Sequence, residues 1–103
     1  MARFDVHQFS MRNSPVLAVV DVQADILASL ATRMVIPPVP AALASAEELV
    51  RLKPRIDING EPFILATTDM AAMPAEALGP LILNIEDQRH IVIDAIDFLL
   101  QGF

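Results

Sequence analysis

The sequence predicts a mainly β domain, with short antiparallel strands forming a small barrel or sheet and one C-terminal α-helix packed on it. Three observations predict it. Short β-branched runs fill the first two-thirds of the chain, Asn59-Gly60 separates two of them, and over residues 86–100 polar side chains recur at steps of three and four. At 103 residues the chain is read as one domain, residues 1–103, long enough for a single core.

Phe4-Asp5-Val6-His7 alternates apolar and polar as a half-buried strand does, with His7 read as a surface or edge residue. After the turn-like Arg12-Asn13-Ser14-Pro15, the run Val16-Leu17-Ala18-Val19-Val20-Asp21-Val22 is nearly continuous and β-branched, the mark of a central strand. Residues 23–32 read as an ordered loop or a helical turn that exposes Ile26, Leu27 and Leu30. Arg33-Met34-Val35-Ile36 is a third strand, stopped by Pro37-Pro38. Ser45-Ala46-Glu47-Glu48 matches a capping box and predicts a short helix over residues 47–52, ended by Pro54. Asn59-Gly60 predicts a tight hairpin between Arg55-Ile56-Asp57-Ile58 and Phe63-Ile64-Leu65-Ala66-Thr67. Pro62 pushes the second arm toward a sheet edge or a late start. Pro74 and Pro80 bracket an irregular piece around residues 75–79.

The C-terminal helix is the most distinctive element. Asp87, His90, Asp94, Asp97 and Gln101 trace one narrow polar stripe, and nearly every other position is Ile, Val, Ala, Leu or Phe. A helix so broadly apolar is buried on several sides or lends a face to a partner. Gly102 suits the left-handed conformation that closes a helix, and Phe103 is read as the chain end, its carboxylate beside an aromatic ring. The tail therefore reads as a contact surface.

Composition narrows the function classes. Hydrophobic residues make up 54% and charged residues 19%, rich for a monomer of this size, which predicts a buried oligomer interface. No apolar run reaches the roughly 18–20 residues of a membrane span, and the N-terminus lacks a signal-peptide pattern, so the expected compartment is the cytosol. The absence of cysteine excludes disulfides, thiolate nucleophiles and Cys-ligated zinc. A net charge of −6, with only Arg51, Lys53 and Arg55 close together and no Trp or Tyr, argues against direct nucleic-acid binding.

The candidate chemical motifs favour structural roles. Asp21-Val22-Gln23-Ala24-Asp25 follows a strand, as a catalytic acid does in isochorismatase-like hydrolases, but those need a cysteine and a larger α/β domain. Asp21 and Asp25 are read as turn and hydrogen-bonding residues. Asp87, His90 and Asp94 lie on one helix face and are read as a solvated stripe, not a metal site. Thr67-Thr68-Asp69-Met70 offers no base–nucleophile–orienter set and is read as a turn bonding its own backbone. The five Met residues are scattered and read as core filler.

Four strings taken in order resemble one family. They are Val20-Asp21-Val22-Gln23-Ala24-Asp25-Ile26, Arg33-Met34-Val35-Ile36-Pro37, Thr67-Thr68-Asp69-Met70-Ala71-Ala72-Met73-Pro74, and Ala95-Ile96-Asp97-Phe98 leading to a glycine near the end. Together they span nearly the whole chain and are similar to the CcdB family, the toxins of type II toxin–antitoxin modules. The resemblance implies an SH3-like antiparallel barrel with a long C-terminal helix, assembled as a homodimer. It implies binding to the A subunit of bacterial DNA gyrase, trapping of the cleaved-DNA complex, and neutralisation by a CcdA-type antitoxin whose flexible C-terminal segment wraps the toxin. No enzymatic step, cofactor, metal or membrane enters this mechanism.

By matched position the gyrase-binding candidates are Asp97, Leu100, Gln101, Gly102 and Phe103, and the partner-contact loop carries Ile26 and Leu27. The family's best-known ending is Trp-Gly-Ile, whereas this chain has Gln101-Gly102-Phe103. Losing an indole removes a contact worth more than about 2 kcal/mol, and Phe103 returns aromatic area on the other side of the glycine. Pro38 stands where a Leu is usual. Two alternatives remain at this stage: a MazF-like endoribonuclease toxin, which needs a basic groove and an acid–base pair, and a non-toxic relative that only binds antitoxin.

Overall fold

The computed structural model describes residues 2–9, 17–43 and 50–102. The described strands pair into two antiparallel sheets, and one C-terminal helix packs against them. In chain order the strands are β1 (Asp5–Gln8), β2 (Ala18–Asp21), β3 (Thr32–Ile36), β4 (Pro38–Pro40), β5 (Arg55–Ile58), β6 (Glu61–Leu65), β7 (Ala71–Pro74) and β8 (Leu81–Asn84), followed by the helix α1 (Arg89–Gln101).

Val19 and Val20 are both buried although they point to opposite faces, so β2 is covered on both sides. It accordingly takes the middle of the five-stranded sheet β7-β3-β2-β1-β8. The register Val6↔Val20 and Val20↔Ile36 aligns three fully buried apolar side chains on one face. Val92 and Ala95 of α1 join these residues in the main core, with Ile56, Leu65 and Ile85. The opposite face carries Val19 and Val35, which cluster with Phe9 and, in part, Met73 and Leu78. It also carries His7, which pairs with Val19 in register.

His7 is thus buried, not a surface residue. Its β1 position lies between β2 and β8, and Nδ1 sits 3.0 Å from the Gly79 carbonyl oxygen. Nε2 is 3.9 Å from Asp5 Oδ2 and lacks a hydrogen-bond partner among the described residues.

The smaller sheet has the order β4-β6-β5. Asn59 and Gly60 adopt positive φ angles of 54° and 80° and join β5 to β6 through a two-residue turn. Pro62 does not force an edge or a late start: β6 begins at Glu61 and is the central strand. The reason lies in the register. Ile58↔Glu61 closes the hairpin, and β4 ends where Pro40 meets Phe63, so the missing donor of Pro62 faces no ladder partner.

Strand β3 does stop at Ile36, but Pro37-Pro38 carries the chain directly into β4 of the other sheet. Strand β6 ends at Leu65, and Thr67–Asp69 forms a 3-10 turn that hydrogen-bonds its own backbone, Met70 N–H to Thr67 O at 3.1 Å. The irregular piece after Pro74 is a 3-10 turn, Ala75–Ala77. Strands β7 and β8 were not marked by the sequence: Ala71–Pro74 lacks β-branched residues, and Leu81–Asn84 merges with the helical pattern behind it. The capping box at residues 45–48 and the turn at residues 12–15 lie outside the described residues. Residues 50–52 form a turn, not the end of a helix.

Candidate functional site

The segment from Asp21 to Leu27 is held by a buried polar network. Asp21, in phase with Val19, ends β2 with its side chain fully buried. Its Oδ2 accepts a hydrogen bond from Arg33 Nε at 2.7 Å, and Arg33 Nη2 lies 2.7 Å from the same oxygen. Both nitrogens converge on one oxygen, so the Nη2 contact is electrostatic and not a second aligned hydrogen bond; Nη1 has no partner among the described residues. The other carboxylate oxygen, Oδ1, accepts from the Gln23 backbone N–H at 3.0 Å.

Gln23 extends this network to the loop. Its Nε2 donates to the Leu27 carbonyl at 3.0 Å, and its Oε1 accepts from the Met34 backbone N–H at 3.0 Å. Asp25 Oδ1 accepts from the Arg3 backbone N–H at 2.7 Å. Asp21 and Asp25 therefore are hydrogen-bonding residues, as read from the sequence. The result is a short 3-10 turn, Asp25–Leu27, pinned at both ends with its apolar side chains outward. Ile26 is 90% exposed, and Leu27 and Leu30 are about half exposed. The turn thus holds Ile26, Leu27 and Leu30 toward solvent on a hydrogen-bonded support.

The second cluster is the end of α1. Val92 and Ala95 face the core, while His90, Asp94, Asp97 and Gln101 lie exposed along one side, the stripe expected from their spacing. Leu100 breaks the polar pattern, 70% exposed beside Asp97 and Gln101 at helical spacing. Gly102 takes φ 78° and donates its N–H to the Phe98 carbonyl at 2.8 Å, a left-handed helix close. Phe103 lies outside the described residues. The structure thus brings Asp97, Leu100, Gln101 and Gly102 together, and sets Ile26 and Leu27 on a separate element fixed to β2 and β3.

A further charged contact ties α1 to the turn before β5. Arg51 binds Asp94 through two hydrogen bonds of 3.1 Å and stacks 4.9 Å from the Phe98 ring centroid. The Arg51–Lys53–Arg55 cluster is therefore partly consumed by the helix, and Asp94 holds an arginine. No helix among the described residues is long and apolar enough to cross a membrane.

Sequence reading missed the parts of Arg33 and Gln23. A signal was present: Arg33 is in phase with Val35, and on a strand that interior an arginine on the buried face requires an acid beside it.

A family model described as CcdB protein matches residues 3–102. The chain belongs to the CcdB family. The two exposed clusters sit on the segments by which it resembled that family, the Asp-Val-Gln motif and the C-terminal helix. Membership implies a toxin with an antitoxin partner. In this CcdB-family chain the Asp-Val-Gln motif is the buried anchor of the exposed 25–27 turn.

Proposed function

We propose that the chain is the toxin of a type II toxin–antitoxin module that acts in the bacterial cytoplasm by binding the DNA gyrase A subunit. In this reading it works as a homodimer on an SH3-like barrel, traps gyrase on cleaved DNA, and is neutralised by a CcdA-type antitoxin. It performs no covalent chemistry. The observation that carries the reading is the exposed end of α1, where Leu100 stands in solvent beside Asp97, Gln101 and the left-handed Gly102.

The physical logic is that of a rigid contact. Asp97, Leu100, Gln101, Gly102 and Phe103 form the gyrase-binding tail, and Ile26 and Leu27 supply a second contact on a pinned turn. Exposed apolar anchors on rigid elements lose little entropy when they dock. The trapped complex follows from stabilising one conformation of the target, with no bond made or broken by the toxin.

Deleting Gly102-Phe103 tests the proposal. Gly102 is exposed at the close of α1, and the expected outcome is that thermal stability and antitoxin affinity stay within error of the parent while growth inhibition on induced expression disappears. Full toxicity without the tail overturns the reading.

A further inference from the structure

The main core holds α1 along only part of its length. Val92 and Ala95 are buried in that core, and Ile91, Ile93 and Ile96 pack against it. Beyond Ile96, Asp97, Leu100, Gln101 and Gly102 are all exposed, so the last turn of the helix runs out into solvent. A helix end of this kind frays unless something beside it holds it, because its last carbonyls have no partners further along the helix.

Arg51 stands at that point. Its Nε and Nη2 each donate to a different oxygen of Asp94 at 3.1 Å, a two-pronged fork, and its guanidinium carbon lies 4.9 Å from the Phe98 ring centroid. Asp94 and Phe98 are one turn apart on the same face, so a single side chain spans that turn of the helix. The Phe98 carbonyl in turn accepts the Gly102 N–H at 2.8 Å, the bond that closes α1. The arginine is itself rooted in the smaller sheet. Shortly after it Pro54 is buried, and the Pro54 carbonyl accepts the Leu65 N–H of β6 at 2.9 Å.

We propose that Arg51 is a positioning residue for gyrase binding, bracing the last turn of α1 so that Leu100, Gln101 and Gly102 are presented in one geometry. The inference rests on the gyrase reading above, and in it Arg51 acts through Asp94 and Phe98 without touching the target. The Arg51 and Asp94 side chains are 45% and 53% exposed, so the pair adds little to global stability. Its effect falls on local fraying, which far smaller energies decide. A tail that spends only part of its time in the docking geometry binds more weakly by that fraction. Lysine cannot replace this arginine, because a point charge on a flexible stem does not grip both oxygens and lie flat on the ring at once.

Arg51→Ala and Arg51→Lys in the full chain test this, with the gyrase A dimerisation fragment as the probe and amide hydrogen exchange as the second readout. Arg51→Ala speeds exchange at Leu99, Leu100, Gln101 and Gly102 by about three- to tenfold and weakens fragment binding by a similar factor. Exchange at Val92 and Ala95 and the melting temperature stay at parent values, which a general loss of structure does not allow. Arg51→Lys behaves like Arg51→Ala. The charge swap Arg51→Asp with Asp94→Arg restores both protection and binding, because the fork then reaches across from the helix with the Phe98 ring still one turn away. Parent-like exchange in Arg51→Ala overturns the brace, whether or not binding falls. Faster exchange with parent-like binding overturns the positioning role and leaves the gyrase reading standing. Failure of the unsubstituted chain to bind the fragment overturns the gyrase reading and the positioning role with it.

Discussion

Asp21 and Arg33 are a charged pair with 0% and 1% side-chain exposure, and such a pair stands or falls together. Its attraction roughly offsets the cost of taking both ions out of water, so the intact pair adds little to stability. Removing one member leaves an uncompensated buried charge. Asp21→Ala is therefore expected to cost about 3–5 kcal/mol, read as a lower urea midpoint. The double change Asp21→Leu with Arg33→Met recovers most of that loss, because no charge remains to be desolvated. The single variant also frees the Gln23 backbone N–H, which donates to Asp21, and so loosens the turn that carries Ile26. A double variant that is as unstable as the single one contradicts this account. Arginine at this position is better explained by loop placement than by strength of the core.

At the level of elements, the 25–27 turn and the end of α1 are stiff supports for exposed apolar groups. Ile26 at 90% exposure and Leu100 at 70% contribute almost nothing to the core. Ile26→Ser and Leu100→Ala are expected to leave stability within about 0.5 kcal/mol of the parent, yet to weaken binding to the gyrase A dimerisation fragment by roughly tenfold each. Calorimetric titration alongside thermal melts separates the two effects, and a variant that melts early disqualifies this assignment.

The same elements mark what the sequence made legible. The polar stripe of α1, the burial of both faces of β2 and the Asn59-Gly60 hairpin follow from period and turn chemistry alone, because each is a local rule. The placements of Pro62 and His7 do not. They depend on where β4 ends and on β1 lying between β2 and β8, which are facts of strand order that no local pattern encodes. Strands β7 and β8 escaped for a related reason: Ala71 and Ala72 hold their strand through pairing with β3 and not through propensity. The exposure of Leu100 was not legible, because the sequence set it within a broadly apolar helix and only the packing leaves it in solvent beside Asp97 and Gln101.

For the whole molecule, the proposed mechanism depends on symmetry. A homodimer carries two α1 tails, and a two-fold symmetric target offers two sites, so the second contact forms within an already bound complex. Its effective concentration then replaces its bulk concentration, and overall affinity exceeds that of one tail by about 10²–10⁴. The gain matters most here, since Gln101 supplies none of the aromatic area of the family's usual tryptophan. A mixed dimer with one intact chain and one lacking Gly102-Phe103, isolated through two affinity tags, is expected to bind gyrase with the weak affinity of a single tail. It should also dissociate faster by a similar factor, since loss of avidity acts mainly on the off-rate. Equal affinity for the mixed and the intact dimer assigns all of the binding to one tail. The symmetric mechanism then fails even though the tail itself remains the contact, because a lone Gln101-Gly102-Phe103 would already reach the full strength that doubling was needed to explain.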